Sequence, residues 1–123
     1  MHDILLVEDN LDARETLRLL LELEGYRVAA AETGEQGIAL AAAQKFTVAL
    51  IDIGLPDLDG YHVAQRIRSS PGGAGLLLIA LTGYSEPGDV RRAREVGFDA
   101  HLVKPVDPDT LTKTLADLPA TRR

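Results

Sequence analysis

The sequence contains no cysteine and no tryptophan, and only two phenylalanines and three tyrosines among its 123 residues. Without cysteine there can be no disulfide, no thiolate zinc site and no cysteine nucleophile. The same lack suits a reducing compartment, so a cytoplasmic location is expected. With aromatics at 4%, the core has to be aliphatic, built from Leu, Val, Ile and Ala. No apolar run reaches the roughly 18 residues that a membrane span needs, so no membrane insertion is expected. The opening MHDILLVEDN sets acids on both sides of a four-residue apolar run, which is not the pattern of a signal peptide. Positive charge is in deficit, with 13 basic residues against 19 acidic ones and a net charge of −6. Such a chain is repelled by nucleic acid, and a cationic partner such as a metal ion is the more natural one.

What is present is an ordinary globular composition, 46% apolar, in a length that suits one domain. The expected domain takes in residues 1–123, with a frayed tail from about residue 119. Short apolar runs alternate with helical periodicity. Ile4–Val7 reads as a first strand, followed by Asn10 as a helix cap and a helix from Leu11 to Glu24 that Gly25 stops. On that helix Ala13, Leu17, Leu20 and Leu21 share one face, and Arg14, Glu15, Arg18 and Glu22 fall on the other. Tyr26–Ala31 is a weaker strand. Thr33-Gly34 then turns into a helix from Glu35 to Gln44, with Ile38, Leu40, Ala41 and Ala42 for packing. Thr47–Ile51 is a third strand, Gly60–Ser69 a helix with Val63, Ala64 and Ile67 inward, and Leu76–Leu81 a fourth strand. Pro87 to about Val96, Ala100–Val103 and Asp109–Leu118 (capped by Asp107) complete the series as helix, strand and helix. The order βαβαβαβαβα, with strands apolar throughout, argues for a five-stranded parallel sheet covered on both faces. This is a doubly wound, flavodoxin-like (βα)5 sandwich of the α/β class.

The chemistry lies where the strands end. Thr47–Ile51 leads straight into Asp52, and a carboxylate buried there costs of the order of several kcal/mol unless it is paired or holds a cation. The first strand ends at Glu8-Asp9, the fourth at Thr82 and the fifth at Lys104. In an open α/β sheet all carboxyl ends lie along one edge, so these five residues are expected to meet in one shallow pocket. Three carboxylates there repel one another, and at least one should hold its proton more tightly than usual. A hard divalent cation relieves this, and oxygen ligands without histidine suit Mg²⁺. Carboxylates, Mg²⁺, a lysine and a hydroxyl donor suit phosphoryl transfer, with one carboxylate free to act as nucleophile. Each residue also has a plain structural reading. Glu8, Asp9 and Asn10 could cap a helix, Asp52 could be a loop residue, and Thr82-Gly83 and Lys104-Pro105 could be turns. All of these would have to coincide, each at the end of its own strand, for the site to be an accident.

These motifs, LLVEDN with Glu8-Asp9, DIGLPDLDG with Asp52, ALTG with Thr82 and HLVKPVD with Lys104-Pro105, closely resemble the receiver domain of two-component response regulators. The resemblance runs over about residues 3 to 118 and is specific through the order and spacing of the set. It implies that Asp52 accepts a phosphoryl group from a phosphohistidine on a sensor histidine kinase or a histidine phosphotransfer protein. It implies that Asp9 and Asp52 ligate Mg²⁺ directly, that Glu8 acts usually through water, and that the Gly54 carbonyl is a ligand. Thr82 matches the hydroxyl that turns toward the phosphoryl oxygens, and Lys104 the cation that contacts them. The side chain coupled to that threonine lies three residues before the lysine. Here it is His101, where the family often has Tyr or Phe, which is a departure. Three phrases, LTGYSEP, GFDAHLVKPVD and DIGLP, are similar to receivers attached to hybrid sensor histidine kinases.

The expectation is a Mg²⁺-dependent phosphoacceptor switch, not a turnover enzyme, that signals to a downstream protein through helix 4, strand 5 and helix 5. Arg91, Arg92 and Arg94 make helix 4 basic, either as a solvated face or as part of that docking surface. Two rivals are weighed. An aspartate-nucleophile phosphatase usually has a second Asp two residues after the nucleophile, where Gly54 stands. A receiver-like module that is never phosphorylated would not need the complete acid set. His2 and His62 read as surface residues, and Gly34 and Gly37 form no phosphate-binding loop.

Overall fold

The computed structural model describes residues 3–83 and 87–118. Five strands, β1 (Asp3–Val7), β2 (Arg27–Ala31), β3 (Val48–Asp52), β4 (Leu77–Thr82) and β5 (Ala100–Val103), alternate with α1 (Leu11–Leu23), α2 (Gly34–Ala43), α3 (Gly60–Ser69), α4 (Pro87–Glu95) and α5 (Pro108–Asp117). A single 3-10 turn, Gly73–Gly75, precedes β4. All pairings are parallel, in the order β2-β1-β3-β4-β5. The chain winds one way from β1 to β2 and the other way from β3 onward. The reversal of strand order therefore falls between β1 and β3, where α/β folds form a crevice.

Strand alternation builds two cores. Leu5, Val7, Ala49, Ile51, Leu78 and Ala80 face α2, α3 and α4, meeting Val63, Ala64, Ile67 and Ala93. Ile4, Leu6, Val48, Leu50, Leu77, Ile79 and Leu81 face α1 and α5, meeting Leu17, Leu21 and Leu111. The central strands β3 and β4 are buried at every position, whereas the edge strand β2 is mostly half-exposed.

The expected caps form. Asn10 accepts the Ala13 N–H, Thr33 that of Gln36, and Asp107 that of Thr110. Gly25 follows α1 with φ of +95°, the left-handed conformation in which glycine is not strained. Gly34 and Gly37 serve packing. A Cβ on Gly37 would stand 2.6 Å from Val7 Cγ2, and one on Gly34 would stand 2.7 Å from Val63 Cγ2. They let α2 lie close against the sheet and α3.

Several details differ from the sequence reading. Strands β3 and β4 each run one residue further, so Asp52 and Thr82 are strand residues, since the backbone ladder pairs regardless of side-chain polarity. Tyr26 precedes β2 rather than opening it, and Ala42 faces solvent. Arg14 leaves the polar face of α1 and tucks its side chain to 11% exposure against the end of β1. Leu11, Leu19 and Leu23 stand on the outer face of α1, more than half exposed. His62 is exposed, as expected. The expectations for His2 and for a tail from about residue 119 lie outside the described residues.

Candidate functional site

The strand register brings the site together. Val7 pairs with Ile51, Asp52 with Leu81, and Thr82 with Val103, so Glu8, Asp52, Thr82 and Lys104 lie within about one residue of a common level. The ladder continues beyond the strands: the Glu8 N–H reaches the Ala31 carbonyl at 3.0 Å, and the Lys104 N–H reaches that of Thr82 at 2.7 Å. By alternation, Glu8, Asp52 and Lys104 share the α1/α5 phase of the sheet, whereas Thr82 and His101 share the other.

Carboxylate oxygens of Glu8, Asp9 and Asp52 all lie within 4.8 Å of one another. Glu8 is fully buried, Asp52 is 6% exposed and Asp9 is open to solvent. The Lys104 ammonium stands 2.7 Å from Glu8 Oε2 and donates to Asp52 Oδ2 at 2.9 Å. Asp52 Oδ1 accepts the Gly54 N–H at 2.9 Å, and Glu8 Oε1 accepts that of Asn10 at 3.1 Å. Thr82 is 7% exposed at the end of β4. Of the five strand-end residues named from the sequence, Glu8, Asp9, Asp52 and Lys104 are brought into contact, Thr82 ends the neighbouring strand one register step beyond Asp52, and Gly54 joins from the loop.

The electrostatics match the crowding. Burial holds the Glu8 carboxyl above its ordinary range; the Asp52 charge adds to this, while Lys104 and the Asn10 N–H oppose it. Burial by itself would lower the Lys104 ammonium, but its close contacts with the Glu8 and Asp52 carboxylates outweigh that and raise it. Glu8 differs from its expected role in one respect. It ion-pairs directly with Lys104, a contact the sequence reading did not include, because the Glu8 and Lys104 side chains emerge on one face of the sheet.

The donor set fits a hard cation. It offers three carboxylates with no histidine or cysteine, which suits Mg²⁺ rather than zinc. Glu8 Oε2 is buried and, among the described residues, has no aligned hydrogen-bond donor; its close contact with the Lys104 ammonium is an ion pair only. A cation placed among these oxygens would complete their coordination.

Several contributing residues are not among those named from the sequence. Asp57, in the loop after β3, accepts the N–H groups of Gly34 and Glu35 at 2.9 and 3.0 Å. Those two bonds at the α2 N-terminus hold its carboxyl below the usual range and tie the Gly54 loop to α2. Asp59 caps α3 through the His62 N–H, a signal readable from its place just before Gly60. Arg92 lies 4.2 Å above the Tyr61 ring and 4.0 Å from Asp59, so it is partly engaged within the protein. Arg91 and Arg94 are exposed, and His101 is exposed on β5.

Beside the site, a groove of about 480 Å³ is lined by Asn10, Ala13, Leu17, Lys104, Pro105 and Val106, among others. A cavity of about 640 Å³ lies at the opposite end of the sheet, between the end of α2 and the α3–β4 connection. Among the described residues, Lys45 is its one ionisable lining residue, so it offers no comparable chemistry. No helix among the described residues is long and apolar enough to cross a membrane.

Comparison with known proteins agrees with this geometry. Residues 4–116 match the family described as the response regulator receiver domain. Protein PilH of Pseudomonas aeruginosa is 33% identical, over 94% of this chain and 95% of its own. The chemotaxis protein CheY4 of Vibrio cholerae superposes with a TM-score of 0.93 at 28% identity, covering 97% of this chain and 99% of its own. The receiver domain of a Pseudomonas aeruginosa sensor histidine kinase, described with a magnesium ion coordinated in its active site cleft, superposes at 0.86 with 34% identity, covering 93% of each chain. Other relatives are longer: the chain spans 46% of one transcriptional regulatory protein and 10% of one virulence sensor protein.

Proposed function

Because the chain belongs to the response regulator receiver family and so works as a two-component phosphoacceptor, we propose that Asp52 is the residue that takes the phosphoryl group. The observation that carries this reading is the position of Asp52: a nearly buried carboxylate, flanked by Glu8 and Asp9, with a lysine ammonium 2.9 Å away. An Asp52 oxygen attacks the phosphorus of a partner's phosphohistidine. The P–N bond breaks, the imidazole leaves with the electron pair, and a mixed anhydride forms on the carboxylate. Later attack by water returns phosphate and the free carboxylate, so the signal resets.

Lys104, already against the nucleophile, neutralises charge on the transferring group. The Gly54 N–H holds one Asp52 oxygen and so orients the carboxylate. Glu8, Asp9, Asp52 and the Gly54 carbonyl would hold Mg²⁺. When bound, that ion supplies charge neutralisation to the phosphoryl oxygens. Thr82, beside Asp52 at the end of β4, offers its hydroxyl to the phosphoryl group, and His101 follows on the same face of the sheet. The readout surface is α4, β5 and α5, with Arg91 and Arg94 facing solvent. The groove beside Lys104 is the approach for the phosphohistidine-bearing kinase or phosphotransfer protein. The domain acts as a switch that catalyses only its own phosphorylation and dephosphorylation.

The test is labelling by acetyl phosphate or by a phosphorylated histidine kinase, with and without Mg²⁺. One phosphoryl group per chain is expected in the wild type, none in Asp52→Asn, and no multiple turnover. Full labelling of Asp52→Asn, or none in the wild type with any donor, would refute the proposal.

A further inference from the structure

One side chain holds the acidic turn from behind, and the transfer chemistry does not use it. Arg14, on the first turns of α1, is 11% exposed although it carries a full charge. Its Nη1 donates to two main-chain carbonyls, Glu8 O at 3.0 Å and Asp9 O at 3.3 Å. Its Nη2 stands 3.5 Å from Glu32 Oε1, on a largely exposed glutamate that follows β2. A single guanidinium nitrogen thus spends one hydrogen on each of the two residues that supply the acid pair.

We propose that Arg14 is a positioning residue for the cation site, holding the Glu8-Asp9 backbone so that both carboxylates converge on Asp52. This rests on the reading of Glu8, Asp9 and Asp52 as cation ligands. Past the Glu8 N–H, which still pairs with the Ala31 carbonyl, the chain has left the sheet and not yet entered the helix, so neither ladder holds the two peptide planes that flank Asp9. Fixing the carbonyls of Glu8 and Asp9 fixes the two peptide planes that flank Asp9. The Glu8 carboxylate is held in addition by burial, Lys104 and the Asn10 N–H. The Asp9 carboxylate is exposed and is aimed chiefly by its backbone, so it depends most on Arg14. The guanidinium fork matters because it can serve two carbonyls and Glu32 at once, which an ammonium cannot do in the same geometry.

The opposite effect is also conceivable on charge alone. A cation near the site repels Mg²⁺, so removing it should tighten metal binding. Positioning predicts the reverse sign, which makes the two separable. The experiment is a Mg²⁺ titration of wild type, Arg14→Met and Arg14→Lys, followed by calorimetry and by the amide resonances of Asn10 and Gly54, with thermal unfolding measured without metal. Loss of a hydrogen bond that orients a metal ligand typically weakens affinity about tenfold or more. Arg14→Met should therefore bind Mg²⁺ about tenfold more weakly, and Arg14→Lys should fall between it and the wild type. A cooperatively folded Arg14→Met with equal or tighter Mg²⁺ affinity overturns the proposal, as does a lowered melting temperature with unchanged affinity. If Arg14→Met does not fold, Arg14→Lys is read by the same rule. A wild type that binds no Mg²⁺ would instead sink the reading of the acids as cation ligands.

Discussion

Replacing Lys104 with methionine separates the two roles of the strand-end lysine, structural and chemical. Its ammonium lies 2.7 Å from the buried Glu8 and 2.9 Å from Asp52. Methionine keeps the aliphatic stem and removes the charge, leaving two adjacent carboxylates without their counter-ion. Breaking a buried ion pair typically costs about 3–5 kcal/mol. The Lys104 side chain is 27% exposed, so water offsets part of this, and about 3 kcal/mol is expected at pH 7 without metal. The pH dependence has a definite sign. The Glu8 pKa is raised, so Glu8 contributes most below its ordinary 4.5 and this contribution is lost as pH rises through its folded value. Where Glu8 is ionised, its charge is buried at a cost, which Lys104 offsets. The loss in Lys104→Met should therefore be largest near neutrality and shrink toward pH 4.5 as Glu8 takes up a proton. The Lys104 pKa is raised as well, so its contribution is present below 10.5 and lost as pH climbs through its folded value. Mg²⁺ should substitute for the missing charge, because it binds more tightly where no ammonium competes. At a hundredfold excess over its dissociation constant, a ligand stabilises the fold by about 2.7 kcal/mol. Urea unfolding at pH 7 and pH 5, with and without Mg²⁺, checks this, and phosphoryl transfer should be slower in the variant throughout. A destabilisation that is the same at both pH values and insensitive to Mg²⁺ would show that the ammonium does not balance these carboxylates.

Two other substitutions probe the frame around the site. Arg68 donates to the carbonyls of Gly97, Gly73 and Leu76 and pairs with Asp99, which in turn accepts the Leu78 N–H. Arg68→Ala leaves these acceptors behind and should lower urea stability by about 3 kcal/mol, with faster hydrogen exchange at Gly97 and Asp99. At Gly60 an added Cβ would stand 2.5 Å from Ile53 Cα and 2.6 Å from the Asp52 carbonyl. These are backbone atoms that cannot step aside, so Gly60→Ala should displace the loop after β3, destabilise the fold by about 2 kcal/mol and weaken Mg²⁺ binding in calorimetry.

The fold was readable because each strand is a continuous aliphatic run and each helix has a start signal and a stop. Asp52 stood out for the same reason, as a carboxylate following an apolar run without a break. The convergence of Glu8, Asp52, Thr82 and Lys104 followed from one topological fact, that parallel strands end at one edge. The contacts that secure them were not legible. Arg14 falls on the polar side of a helical wheel, which describes the helix alone and knows nothing of the turn behind it. Arg68 and Asp99 are 31 residues apart and meet only because α3 runs back beside the start of β5. Asp57 looks like a loop residue until α2 is placed with its N-terminus against it. Asp59 is different, because an aspartate directly before the first helical residue is itself a readable cap signal.

The register also bears on how a signal would leave the site. Thr82 pairs with Val103, and Ala80 with His101, so Thr82 and His101 are two alternation steps apart on the face covered by α4. The residue directly opposite His101 is alanine, fully buried, and Ala93 of α4 is also small. A ring at 101 that turned inward would therefore meet short side chains in the sheet beside it. In this structure His101 is exposed, so the outward position is the one seen. Drawing the Thr82 hydroxyl toward a phosphoryl group would open space along that face, and an imidazole fills less of it than a phenol. An inward His101 would also bring ring nitrogens into an aliphatic layer, where each needs a hydrogen-bond partner. Of the two positions, the inward one carries that added desolvation cost. A receiver with histidine here should thus favour the outward arrangement more strongly than one with an aromatic hydrocarbon ring. If Asp52 is the phosphoacceptor, its coupling to the α4–β5–α5 surface would then be set by how far phosphorylation offsets that cost.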